Sequence, residues 1–121
     1  MLFRSEFVAS RPNQSSVATF KFGRVYGMTE MALVASGISY SLVTPQKWCK
    51  AMHEGVEMIT KKMKVGGKEK EVTDTKARSR IACSRLFPAA DLRASDRCKV
   101  PHEGIVDALM LAEWGRRQST V

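Results

Sequence analysis

One carboxylate near the end of this chain sits where a carboxylate is costly. Residues 105–111 read Ile-Val-Asp-Ala-Leu-Met-Leu, so Asp107 interrupts an apolar run. Pro101 precedes the run and Arg116-Arg117 follow it, which predicts a final helix after Pro101. A charged side chain buried without a cationic partner is strongly unfavourable. Glu103 lies four residues before Asp107, so a helix puts both acids on one face. Like charges at that spacing repel, and a bound divalent cation reverses the sign of that interaction. The helix therefore reads as one that offers two acids to a metal.

A chain of 121 residues is long enough for one domain with one core. Its net charge of +8 makes an anion the expected partner, nucleic acid first. The excess is uneven: residues 61–80 hold eight Lys or Arg against three acids, which is +5 of the +8. Such a run is also the ordinary make-up of a solvated face. Cys49, Cys83 and Cys98 are odd in number and form no Cys-x-x-Cys pair, which suits free thiols in a reducing compartment. Cys83, Cys98 and His102 match no zinc spacing. Arg4 and Glu6 interrupt any secretory leader, and no apolar stretch approaches a membrane span. The expected location is the cytoplasm, with no membrane partner.

Along the chain, residues 2–9 read as a strand bearing Glu6, and residues 10–15 as a loop. Ser15 or Ser16 caps a helix running to about Ser36, with Val17, Phe20, Met28, Met31 and Val34 or Ala35 at helical spacing. Gly23 and Gly27 on that helix signal close approach by another backbone, from the sheet or from a partner subunit. Gly37 ends the helix, Ile38–Val43 forms a strand, and Pro45 opens a helix that carries Trp48 to about His53. From Glu54 to Thr75 the pattern weakens, and Gly66-Gly67 among lysines suggests a mobile basic loop between two helical pieces. A further helix spans about Thr73–Leu86 and ends at Phe87-Pro88. A loop follows over residues 89–100. The order is strand, helix, strand, helix, helix, helix. Two strands joined by a crossover helix pair in parallel, which gives an α/β class. Two strands alone make a poor sheet.

Four blocks, in order, carry a family likeness. They are Ser5-Glu6-Phe7-Val8, Phe22-Gly23-Arg24-Val25-Tyr26-Gly27 and Val43-Thr44-Pro45-Gln46-Lys47-Trp48; the last runs from Lys76 through Leu86-Phe87-Pro88 to His102-Glu103-Gly104 and Asp107-Ala108-Leu109. Together they resemble the RuvC-type Holliday junction resolvases of phage and bacterial genomes, over nearly the whole chain. The resemblance implies one ribonuclease H-like α/β domain over residues 1–121. It implies a homodimeric, Mg²⁺-dependent endonuclease that nicks four-way DNA junctions in recombination and repair, with two Mg²⁺ held between acids.

Carried over by residue, the resemblance makes Glu6, Glu103 and Asp107 the metal-binding catalytic acids. Lys76 becomes the catalytic lysine near the scissile phosphate. His102-Glu103-Gly104 stands where the family commonly has His-Asp-Gly. Charge and position add Lys76, Arg78, Arg80, Arg93, Arg97 and Lys99 as expected DNA contacts. The family's first strand carries another catalytic Asp, and this chain has no aspartate before Asp74. The expectation is an N-terminally truncated, incomplete fold with impaired catalysis. The alternative is a non-catalytic basic DNA-binding or dimerisation fragment. Trp48 and Trp114 read as core or interface packing rather than base-stacking platforms, and Glu103 in a first helical turn also suits the helix dipole.

Overall fold

The computed structural model describes residues 3–6 and 14–119, with the side chains of Phe3, Arg4 and Glu6 left outside the description. The remainder of the expected strand over 2–9, most of the loop over 10–15, and the last two residues lie outside the described residues. The described elements are β1 (Phe3–Glu6), α1 (Ser16–Ala35), β2 (Tyr40–Val43), α2 (Pro45–Met52), β3 (Thr60–Val65), β4 (Lys68–Thr73), α3 (Thr75–Leu86) and α4 (Glu103–Ser119). They fall into two compact units, Met1–Pro45 and Gln46–Val121.

In the first unit, β1 and β2 pair in parallel, with Phe3 opposite Tyr40 and Glu6 opposite Val43. The crossover between them is α1. Ser15 caps α1 by accepting a hydrogen bond from the Ala18 N–H at 3.1 Å, which satisfies one of the helix's orphan donors. At the other end Gly37 adopts φ +65°. The N–H groups of Gly37 and Ile38 return to the carbonyls of Val34 and Leu33, closing the helix as the sequence predicts. The apolar spacing along α1 makes a helix, but only Leu33 on it is buried. Val17, Phe20, Met28, Met31 and Val34 are all exposed. A helix of 20 residues is about 30 Å long, against about 13 Å for a four-residue strand, so the described sheet cannot cover it. The close approach expected at Gly23 and Gly27 is absent among the described residues: a Cβ at either position would meet nothing within 4 Å.

In the second unit, a small core gathers Trp48 and Met52 of α2, Ala82 and Cys83 of α3, and Val106, Met110 and Trp114 of α4. Both tryptophans are core residues, as expected. The buried positions of α4 recur every four residues, and α4 packs on α3. The buried residues of α3 are Ser79, Ala82 and Cys83, all small enough to let α4 come close. His53, at the end of α2, is 5% exposed, and its Nε2 lies 2.7 Å from the buried Ser79 Oγ. Burial pushes the imidazole below its usual range, and Arg78 adds to that.

The segment 54–75 corrects the expectation of a mobile basic loop between helical pieces. Residues 60–73 form an antiparallel hairpin, β3–β4, with Thr60 opposite Thr73 and Val65 opposite Lys68. Gly66 and Gly67 both take positive φ, at 59° and 79°. That is the two-residue turn whose twist matches the flanking strands, and glycine adopts it without steric cost. The element order therefore gains two strands over the expected one. The class is mixed helix and strand, as the sequence indicates.

Candidate acid site on the last helix

Glu103 and Asp107 stand one turn apart on α4, at its N-terminal end. Gly104 between them has a local reason to be glycine: a Cβ there would sit 3.1 Å from the His102 ring. The His102 carbonyl accepts from the Ile105 and Val106 N–H groups, so this residue starts the helix. Its own N–H is held by the Leu92 carbonyl at 2.7 Å, tying the helix start to the preceding loop.

Lys76 comes from the first turn of α3 and pairs with the Glu103 carboxylate. Asp74 caps α3 by accepting from the Ala77 N–H, and so fixes where that turn begins. The hydrogen bond from Lys76 holds the Glu103 carboxyl below its ordinary range, and the charges of Lys76, Arg80 and Lys61 help. Asp107 moves the other way. Surrounding protein raises its carboxyl, Lys76 pulls it down, and the nearby Glu103 raises it again. The helix thus presents two carboxyls shifted in opposite directions, Glu103 down and Asp107 up. Asp107 is not buried, contrary to what its apolar neighbours suggest. The core face of α4 runs through Val106 and Met110, and Asp107 lies beside that face.

The other expected residues separate. Glu6 stands on β1 in the first unit, with its side chain outside the description. Arg78 is tied to the backbone: it donates to the carbonyls of His53, Val56 and Glu57, clamping the turn after α2 onto α3. Arg93 forks onto the Asp91 carboxylate with two bonds of 2.9 Å, holding that acid down to about 2. These two arginines shape loops, which their charge alone does not reveal. Arg80 lends charge to Glu103 while its Nε is buried without a hydrogen-bond partner. Arg97 and Lys99 are exposed. A cleft of about 330 Å³ lies away from the acids, between Met52, Ala82, Arg85 and Arg117.

Mg²⁺ prefers hard oxygen ligands, and a pair of ions needs several of them. Among the described residues no group of three or more His, Cys, Asp or Glu could hold a metal ion. Two carboxylates, one already bridged by Lys76, do not fit a two-ion site by themselves. Among the described residues no helix is long and apolar enough to cross a membrane. No family model, no curated protein and no solved structure matches the chain.

Proposed function

We propose that this chain acts on branched DNA as a RuvC-like junction endonuclease element. One observation carries the reading: Lys76 pairs with Glu103 although 27 residues separate them, and the charges of both act on Asp107 one turn along α4. Lys76 is the group that would relieve phosphate charge there. Asp107, one turn from Glu103, is the acid that the resemblance places on the last helix as a metal ligand. Cleavage supported by Mg²⁺ calls for further acids, and Glu6 is the one the resemblance names. Pairing of two such chains would suit a symmetric junction.

A second reading has its own support. Glu103 is neutralised by Lys76, and the acid pair lacks a third member among the described residues. On that reading the chain is a basic DNA-binding or pairing module without catalysis.

The test is a synthetic four-way DNA junction, incubated with the purified chain with and without Mg²⁺, beside Asp107→Asn. The expected result is junction binding with weak Mg²⁺-dependent nicking, lowered by about 100-fold or more in the variant. Binding without nicking selects the module. Nicking untouched by Asp107→Asn removes the acid site from the proposal, and no binding to any DNA removes both readings.

A further inference from the structure

The hairpin β3–β4 has two chemically different faces. Cross-strand partners share a face and successive residues alternate. The register therefore puts Thr60, Lys62, Lys64, Glu69, Glu71 and Thr73 on one face. There Lys62 stands opposite Glu71 and Lys64 opposite Glu69, so the charges cancel. A hydrogen bond of 2.5 Å from Thr60 Oγ1 to Glu71 Oε1 runs along this face. The other face holds Lys61, Met63, Val65, Lys68, Lys70 and Val72, three cations and no acid. All the net charge of the hairpin lies on that second face.

Its lysines are also regularly placed. Lys61 is opposite Val72, Lys70 opposite Met63 and Lys68 opposite Val65, which is one cation in each successive row. Rows on one face are about 7 Å apart. A DNA strand rises about 3.4 Å per nucleotide along the duplex, so the rows match every second phosphate step. One end of the face reaches the start of α3. Lys61 at its base lies 3.8 Å from Asp74, and its charge is among those that hold Glu103 down. Every residue of the ribbon except Val72 is exposed.

We propose that β3–β4 is a ribbon that grips one duplex arm of DNA, with Lys61, Lys70 and Lys68, one per row, on backbone phosphates leading away from Glu103 and Asp107. This rests on the DNA reading above and assigns the grip to residues outside the expected contact set. A two-stranded ribbon is narrow enough to enter a major groove, where Met63 and Val65 would face base edges. Charge complementarity commits the face to a polyanion, and the DNA reading above makes that polyanion a duplex arm.

The experiment compares two double variants that change net charge equally. Lys68→Gln with Lys70→Gln alters the cationic face; Lys62→Gln with Lys64→Gln alters the balanced one. Each is titrated with a four-way junction at several salt concentrations. The first double should lower the slope of log K against log salt by about 1.8, since each phosphate contact contributes about 0.9. The second should leave the slope unchanged. Lys68→Arg with Lys70→Arg should restore it, which separates lost contacts from a lost hairpin. Equal slopes for the two glutamine doubles overturn the ribbon while leaving DNA binding in place. A wild-type chain that binds no DNA overturns the DNA reading and the ribbon with it. Binding instead to vesicles of phosphatidylserine and phosphatidylcholine, lost in the first double alone, overturns the assignment to DNA.

Discussion

Two helices of similar length, α1 and α4, use their apolar residues in opposite ways. In α4 the residues at four-residue spacing, Val106, Met110 and Trp114, are buried against a neighbouring helix. In α1 a comparable set is open, with Met28 at 62% and Phe20 at 72% exposure. Both segments carry helical periodicity, and both are helices. The difference lies in what faces them. α3 offers the small buried side chains Ser79, Ala82 and Cys83, whereas each described strand of the first unit is four residues long. Periodicity thus specifies a helix, while burial needs a partner of matching length. The charges follow the same division. α4 has Glu103 in its first turn and two arginines in its last, and α1 has neither complement to its dipole.

The sharpest way to break this comparison is a pair of methionine truncations. Met110 is fully buried, so Met110→Ala should cost about 2–5 kcal/mol in denaturant unfolding. Met28→Ala, at an exposed site, should stay within about 0.5 kcal/mol. A large cost at Met28 would mean that the α1 face is covered in solution. If that cost also grows with protein concentration, a second copy supplies the cover.

Much of this architecture is legible from single residues. Ser15 at the start of α1, Gly37 at its end, Pro45 opening α2 and Phe87-Pro88 after α3 each act through local backbone chemistry, which a sequence displays directly. The parallel strand pair follows from a crossover helix between two short strands. The hairpin was hidden by its composition. Lys-Lys-Met-Lys-Val and Lys-Glu-Lys-Glu-Val hold few of the branched and aromatic residues that mark strands. Its readable signal is Gly66-Gly67 between two alternating runs, a turn motif rather than a strand motif. The site divides the same way. Glu103 and Asp107 share a face by spacing alone. The backbone and loop roles of Arg78 and Arg93 cannot be read without the fold, because their partners are carbonyls and an acid placed by loop geometry.

In α1 and just past its end, two glycines should respond with opposite sign. Gly37→Ala places a Cβ at φ +65°, where a left-handed residue costs about 1–2 kcal/mol. Gly23→Ala falls in a helix interior with open space around it, and should gain about 0.5–1 kcal/mol. Thermal unfolding of the two variants measures both signs at once. If Gly23→Ala is destabilising, another surface does approach α1 in solution, and the contrast with α4 narrows.

The smallest effect belongs to the charged end of α4. Glu113 accepts two bonds of 2.9 Å from Arg116 and one of 3.1 Å from Arg117. The hydrogen bond from Arg116, with further help from Arg117, holds its carboxyl down to about 2. A carboxyl that is more acidic in the folded chain stabilises the fold above its unfolded range near 4.5, and loses that contribution as pH falls through about 2. The two arginines are largely open to water, so screening keeps the gain to a few tenths of a kcal/mol. Glu113→Gln should therefore flatten the fall in stability between about pH 4.5 and 2 by that small amount, as read from urea midpoints at each pH. α1 has no basic residue in its last turn to offer such a contact, so no substitution there should reproduce the change. An unaltered acid profile in Glu113→Gln would show that the contacts of Glu113 with Arg116 and Arg117 add nothing to the difference between the two helices.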